Sequence, residues 1–233
     1  MRNSEQFTHT LIVSDVHLGS SVSRAKELEE TLREWRFKKL ILLGDIFDDL
    51  DFNRLTEEHW DLLSYIRELS RSESDVEVVW IKGNHDELLS RVASSFLGIE
   101  VHRERKWELR GKTHLAIHGH QFDRFLVNNK LLSDIASAFY LFLQKIDMEQ
   151  QRFSRIVKRM SKRWLRLSEK VAGAAIRYGK RKGADVVFCG HTHLALEKHP
   201  NGIDYFNTGC WTDIPSTFAT IDENGAIELH HVS

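Results

Sequence analysis

The sequence predicts a mixed α/β fold with a helical block inserted into it, and three observations carry that reading. Short β-branched runs alternate with segments of helical spacing from the N-terminus to about residue 96. Strand-like runs with turn signals between them fill residues 203–232. Residues 122–182 interrupt the strands with helical pattern alone.

The elements follow in order. Residues 9–14, HTLIVS, read as a buried strand that ends at Asp15. Ala25, Leu28, Leu32 and Trp35 then fall at helical spacing. KLILL, 39–43, is a second strand closed by Gly44-Asp45. Thr56 reads as an N-cap, with Glu57 and Glu58 in the first turn and Trp60, Leu63, Ile66 and Leu69 as the apolar stripe. VEVVWI, 76–81, is a third strand, followed by Gly83-Asn84-His85-Asp86. Asp86 is a candidate cap for a helix through Leu88, Leu89, Val92 and Phe96. Strand–helix alternation implies right-handed crossovers and a parallel sheet. Residues 113–119, 185–190, 203–209, 216–222 and 226–232 read as further strands, the last three as an antiparallel section.

The helical block has two characters. Its first half is apolar, with Leu131, Leu132, Ile135, Phe139, Tyr140, Leu141, Phe142 and Leu143. In its second half Ile156, Met160, Trp164, Leu167, Val171, Ala174 and Tyr178 form one stripe at ~100° per residue. Arg152, Arg155, Arg159, Lys162, Arg166 and Lys170 flank it. Together these halves predict a helical hairpin inserted at 122–182 within one domain spanning 1–233.

Charge separates the same block from the rest. Residues 121–182 hold 15 Lys/Arg against 5 Asp/Glu, and the remainder holds 18 against 29. A basic segment in an acidic protein points to an anionic partner: a phosphate ester, an acidic membrane surface or nucleic acid. The structural alternative is a solvated face. Hydrophobic residues at 41% and charged residues at 29% exclude a mostly disordered chain. No run approaches the ~18 apolar residues of a membrane span. MRNSEQFTHT, the first ten residues, lacks an apolar stretch and a small-residue cleavage site. Cys189 and Cys210 are too few for a disulfide scaffold, so a reduced, cytoplasmic compartment is expected.

Five clusters concentrate metal-binding side chains, each just after an expected strand: Asp15-Val16-His17, Gly44-Asp45, Gly83-Asn84-His85-Asp86, His118-Gly119-His120 and Gly190-His191-Thr192-His193. Loops after the carboxyl ends of parallel strands converge on one crevice. Imidazole nitrogen with Asp and Asn oxygen, and no thiolate, suits Mn²⁺, Fe²⁺, Co²⁺ or Zn²⁺. Asp15/His17 and His191/His193 each sit two residues apart, so each pair can present ligands on one side of an extended segment. Asp45 is placed to bridge two ions ~3.5–4 Å apart. The glycines before Asp45, Asn84 and His191 are expected to supply tight turns. Taken singly, each cluster also reads as a turn, a cap or an ordinary hydrogen-bonded histidine. Their joint occurrence at strand ends is what points to metal.

SDVHLG, GDIFDD, GNHDE, HGH and GHTH, in that order, resemble the calcineurin-like metallophosphoesterase signature. The resemblance implies a β-sandwich flanked by helices, in αββα layers, and a two-metal site. Asp15, His17 and His193 would hold one ion; Asn84, His118 and His191 the other; Asp45 would bridge them. His85 would act on the transferring phosphoryl group or protonate the leaving oxygen. The implied reaction is hydrolysis by a metal-bridging hydroxide, manganese being the first expectation for the metal. His120 and Asp123 are candidate substrate-side residues, with Asp48 and Asp49 as further supporting groups or turn residues.

The chain also resembles the bacterial UDP-2,3-diacylglucosamine diphosphatases of lipid A synthesis. GDIFDD, the helical insertion between HGH and GHTH, and YFNTGCW carry that similarity. It implies a lipid-linked pyrophosphate substrate cut at the inner membrane surface. Arg155, Lys158, Arg159, Lys162 and Arg166 would then meet phosphate or anionic lipid. Two departures stand against it: those enzymes often carry Arg at the position of His85, and HGD in place of HGH. Other readings remain open: a general phosphodiesterase or phosphomonoesterase, a nuclease whose basic hairpin tracks a backbone, or a non-catalytic scaffold. Aromatic residues are not interleaved with the basic ones as a base-stacking platform requires. A scaffold would be expected to have lost His85 or some ligands, and every position is filled.

Overall fold

The computed structural model describes residues 6–49, 51–71, 73–85, 94, 97–123 and 151–233, with side chains of the last segment described at 162 and from 164 onward. The expected cap at Asp86, the helix through Leu88, Leu89, Val92 and Phe96, and the apolar half of the insertion lie outside the described residues.

Two sheets stack face to face. The first has strand order β11-β10-β1-β2-β3-β4: β1 is Gln6–Val13, β2 Trp35–Leu43, β3 Glu77–Ile81, β4 Val101–His102, β10 Ser216–Ile221 and β11 Ile227–Val232. The second has order β5-β6-β7-β9-β8: β5 is Arg105–Leu109, β6 Lys112–Ala116, β7 Val186–Cys189, β8 Leu196–Lys198 and β9 Asp204–Asn207. Helices α1, Ala25–Glu34, and α2, Glu57–Leu69, cover the first sheet, and α3, Gln151–Lys182, packs on the second.

Side-chain alternation along the strands explains the layering. Leu11 and Val13 of β1, Leu40 and Leu42 of β2, and Trp80 of β3 pack with Leu28 and Leu32 of α1 and Leu62, Leu63 and Ile66 of α2. Their neighbours Ile12, Ile41, Leu43, Val79 and Ile81 point the other way, onto Ala116, Val186, Phe188 and Phe206 of the second sheet. On the far face of that sheet Leu115, Val187, Cys189 and Tyr205 meet Ala172 and Ala175 of α3. The αββα layering follows from these three cores. The small Ala172 and Ala175 let a long helix approach the strands closely.

β1, β2 and β3 pair in parallel, as do β6, β7 and β9. Each sheet therefore sends its strand ends to one edge. Within α2, Thr56 forms the expected cap, and His59 completes a capping box by accepting the Thr56 backbone N–H at 3.1 Å.

Four expectations need correction. Trp35 opens β2 and does not end the preceding helix; Gln6↔Trp35 begins a parallel register that runs to Val13↔Leu42. Trp60 is 40% exposed, and His59 and Leu62 take its place on the buried face of α2. The run at 203–209 does not join the last two strands: β9 pairs with β7 and β8, whereas β10 and β11 extend the first sheet beside β1. The α3 stripe is rotated from the expected one, with Ser168, Val171, Ala172 and Ala175 buried and Trp164 38% exposed. Strands β4, β5 and β8 escaped the pattern because they are short or strongly charged; in β5 only Trp107 is buried.

Candidate metal centre

Each of the five clusters follows a strand: β1, β2, β3, β6 and β7. The loops are laced to one another. Asp15 N–H donates to Gly44 O at 3.0 Å, and His17 N–H to Asp45 O at 3.0 Å. Gly190 N–H donates to His118 O at 3.0 Å, and Trp211 N–H to Asp15 O at 3.0 Å.

Among the described residues three groups of potential ligand atoms result, each with its members within 4.8 Å of one another; besides His17, Asp48 and His85, the two that build the centre are Asp15, His17 and His193, and Asp45, His118 and His191. His17 Nε2 lies 3.2 Å from His193 Nε2, and His193 Nε2 lies 3.3 Å from Asp15 Oδ1. His118 Nε2 lies 3.2 Å from Asp45 Oδ2 and 4.0 Å from Asp15 Oδ1, so the two groups adjoin. All six residues except His193 are buried.

Five of these residues adopt the left-handed backbone region: Asp15 at φ 53°, His17 at 51°, Asp45 at 51°, His191 at 67° and His193 at 52°. The only other described non-glycine residues there are Arg110 and Asn201. Such conformations cost about 1–3 kcal/mol each and persist where the surroundings enforce them. The backbone is thus bent at almost every candidate ligand.

Glycines make room for neighbouring ligands. A Cβ on Gly83 would stand 2.0 Å from Asp45 Oδ1, and one on Gly190 2.4 Å from Asp15 Oδ2. The expected role of these two glycines was turn freedom; their actual requirement is space beside a carboxylate from another loop.

The site fits divalent ions on its own chemistry. His118 Nδ1–H donates to Leu43 O at 2.7 Å, which turns the fully buried Nε2 toward Asp45. That Nε2 has no aligned hydrogen-bond partner. Burial alone would lower the His118 pKa, but the Asp45 and Asp15 carboxylates push it up to about 9. Burial would raise Asp45, yet His118, then His85 and His17, hold it well below the usual carboxylate range. Burial opposes, and Asp15 chiefly favours, a charged His193, whose pKa stands well above the ordinary value. A pocket of two buried carboxylates balanced only by imidazoles is an environment that cations satisfy.

The remaining expected residues divide. His85 lies beside the centre: its N–H donates to Asp45 Oδ1 at 2.9 Å, and its ring sits 4.9 Å from the His17 ring, edge on. His85 Nδ1 is bonded to Asp48 O, which leaves Nε2 for chemistry. Asn84 is exposed between Gly83 and His85. The His120 ring lies 5.4 Å from that of His118, tilted, and 6.3 Å from that of His191, edge on. Asp123 is buried, with Oδ2 3.4 Å from His191 Nε2, so it faces a candidate ligand. Lys162 and Arg166 are exposed on α3, and the side chains of Arg155, Lys158 and Arg159 lie outside the described residues.

The structure adds residues that pattern reading left undecided or missed. Asp48 Oδ1 lies 3.4 Å from His17 Nδ1, and Arg54 bonds Asp48 Oδ2 at 2.9 Å and also pairs with Asp49. A carboxylate behind a ligand histidine fixes its ring and tautomer. Trp164 donates its indole N–H to Thr192 O at 2.7 Å. Its place in an apolar stripe gave no sign of that contact.

Comparison with known proteins agrees with the geometry. The family model described as calcineurin-like phosphoesterase matches residues 8–195. Among curated proteins, none matches the chain. Among solved structures, a hypothetical protein from Pyrococcus horikoshii is 13% identical with a TM-score of 0.56, covering 98% of this chain and 88% of that one. A novel archaeal phosphodiesterase is 14% identical with a TM-score of 0.53, covering 96% and 99%. The phosphoesterase Yfce from E. coli is 18% identical with a TM-score of 0.51, again covering 96% and 99%. At these identities the likeness shows a shared fold.

Proposed function

The chain belongs to the calcineurin-like phosphoesterase family and is a metal-dependent phosphoesterase; from that premise we propose a two-metal hydrolase that cleaves a phosphoester or pyrophosphate bond in a lipid-linked substrate. Asp15, His17 and His193 would hold one ion, and Asn84, His118 and His191 the other, with Asp45 shared. The observation that carries this reading is the pair of adjoining ligand groups around the buried Nε2 of His118, which faces the Asp45 carboxylate at 3.2 Å. When bound, two divalent ions supply positive charge to the phosphoryl oxygens and acidify water near neutral pH. The oxygen and nitrogen donor set suits Mn²⁺, Fe²⁺, Co²⁺ or Zn²⁺, and manganese is the ion that the family resemblance proposes.

The protein's own groups then have distinct tasks. Asp48, anchored by Arg54, orients His17. The Asp48 carbonyl fixes His85 through Nδ1 and leaves Nε2 to give a proton to the leaving oxygen. Asp123 steadies His191.

The lipid-linked substrate is supported by the surface of α3 nearest the site. Trp164 touches the metal loop and is 38% exposed, and Leu165 beside it is 51% exposed. Lys162, Arg166 and Lys170 are exposed on the same stretch. An exposed apolar pair beside a phosphoesterase site, with a cationic flank on the same helix, suits a substrate with acyl chains and two phosphates, such as UDP-2,3-diacylglucosamine, presented at an anionic membrane surface. Among the described residues no helix is long and apolar enough to cross a membrane.

The test compares substrates with purified protein and Mn²⁺: UDP-diacylglucosamine, a bis-aryl phosphate, an aryl monophosphate and single-stranded DNA. UMP release from the lipid at a much higher kcat/KM supports the reading; preference for the bis-aryl phosphate or DNA removes the lipid. Asp45→Ala should lose both ions by elemental analysis, and full metal retention would remove the shared-ligand assignment.

A further inference from the structure

We infer that Trp164 is a positioning residue for the metal site, its indole N–H holding the loop that presents His191 and His193. The inference rests on the two-metal reading and assigns to the inserted helix a direct part in it.

Thr192 lies between two candidate ligands, both in the left-handed region, at φ 67° and 52°. A strained loop holds its shape only when it is fixed from several sides. On the sheet side the fixing is plain. Asn207 Nδ2 donates to Gly190 O at 2.7 Å and to Thr192 Oγ1 at 3.1 Å. The His191 N–H donates to the Asp15 carboxylate at 3.0 and 3.2 Å. Thr192 N–H closes onto Gly190 O at 2.8 Å. The Thr192 carbonyl faces away from these bonds, toward α3, where the Trp164 N–H meets it at 2.7 Å.

Among the described residues, Trp164 lies outside the core that seats α3 on the second sheet. The core of α3 against the second sheet is carried by Ala172 and Ala175, with Ile176 and Tyr178 at its margin. Trp164 is 38% exposed and the adjacent Leu165 51% exposed. An indole offers a single donor and no acceptor, which matches a lone carbonyl. Losing this bond releases the midpoint of the segment joining a ligand from each group, so both ions should be held less tightly. Groups that steady metal ligands from behind typically change metal affinity by about 10–100-fold, and one neutral hydrogen bond sits at or just below the low end of that range.

Manganese binding by equilibrium dialysis, with metal-free unfolding as a control, tests this. Three proteins are compared: the full chain, Trp164→Phe, which keeps a ring and deletes the donor, and Leu165→Ala, which trims the exposed neighbour. The full chain should bind two ions. Trp164→Phe should bind both about 5–10-fold more weakly, with kcat on a bis-aryl phosphate at saturating Mn²⁺ within about twofold and KM unchanged, because the loop is re-formed once metal is bound. Leu165→Ala should match the full chain in Mn²⁺ affinity. Equal affinity in a folded Trp164→Phe, or equal loss in Leu165→Ala, overturns the inference; Trp164→Leu replaces the first variant if it does not fold. Absence of Mn²⁺ binding by the full chain would instead sink the two-metal reading, and this inference with it.

Discussion

His114 offers a test of the sandwich core through pH. Its side chain is fully buried between the sheets, stacked 5.2 Å from Trp107 and 6.3 Å from Phe188. Nδ1 donates to Lys112 O at 3.1 Å, and Nε2 has no partner. Burial is the main cause of a pKa pushed down from 6.5 to about 4, the Lys112 hydrogen bond opposing and the Lys112 charge assisting. The folded state therefore keeps this imidazole neutral over a range in which the unfolded chain is protonated. Stability from this group is complete above pH 6.5 and falls as pH drops toward about 4, where it levels off. At 1.36 kcal/mol for each tenfold change in proton affinity, the loss at pH 4.5 is at most about 2.5 kcal/mol. Urea unfolding of the protein and His114→Phe, both held in chelator from pH 7.5 to 4.5, reads the difference. His114→Phe also loses the Lys112 bond, about 1 kcal/mol at every pH. The stability gap between the two should therefore shift by up to about 2.5 kcal/mol in favour of His114→Phe as the solution is acidified. A gap that stays constant with pH would refute a neutral, desolvated imidazole in the core.

Three further outcomes are expected. His85→Ala should retain its metal and lose roughly 10²–10⁴-fold in kcat, the scale of acid–base help, and unchanged turnover would dismiss His85 as the proton donor. Gly83→Ala should destabilise the fold by about 1–3 kcal/mol and impair metal retention, because the new methyl would meet Asp45 backbone as well as its carboxylate; chemical unfolding and elemental analysis check both. Reversing charge at Lys162 and Arg166 together should weaken binding to anionic vesicles by roughly tenfold or more and raise KM for a lipid substrate. No change in either would leave the basic face to solvent.

The site was more legible in the sequence than the sheets that build it. Metal ligation demands particular side chains, and parallel strands place them at one edge, so Asp15, His17, Asp45, His118, His191 and His193 stood out by type and position. Sheet membership leaves no such mark. An interior strand of the second sheet such as β9 and one of the first such as β10 both read as short buried runs, and nothing local told 203–209 from the strands after it. Trp35 illustrates the same limit, since an aromatic residue fits a helix stripe as well as a strand start. Groups that act from behind the ligands were harder still. Asp48 was readable only as an acidic turn, and Trp164 only as one more apolar position, because their partners are a ring tautomer and a carbonyl oxygen far along the chain.

The two ligand groups are each drawn from both sheets. Asp15 and His17 come from the first and His193 from the second; Asp45 comes from the first and His118 with His191 from the second. Neither of these two groups is complete within one sheet, whereas the third, His17, Asp48 and His85, lies wholly on loops of the first. Occupancy of either of the two would therefore report on closure of the whole, and an ion held there would act as a rivet that two separate plates must share.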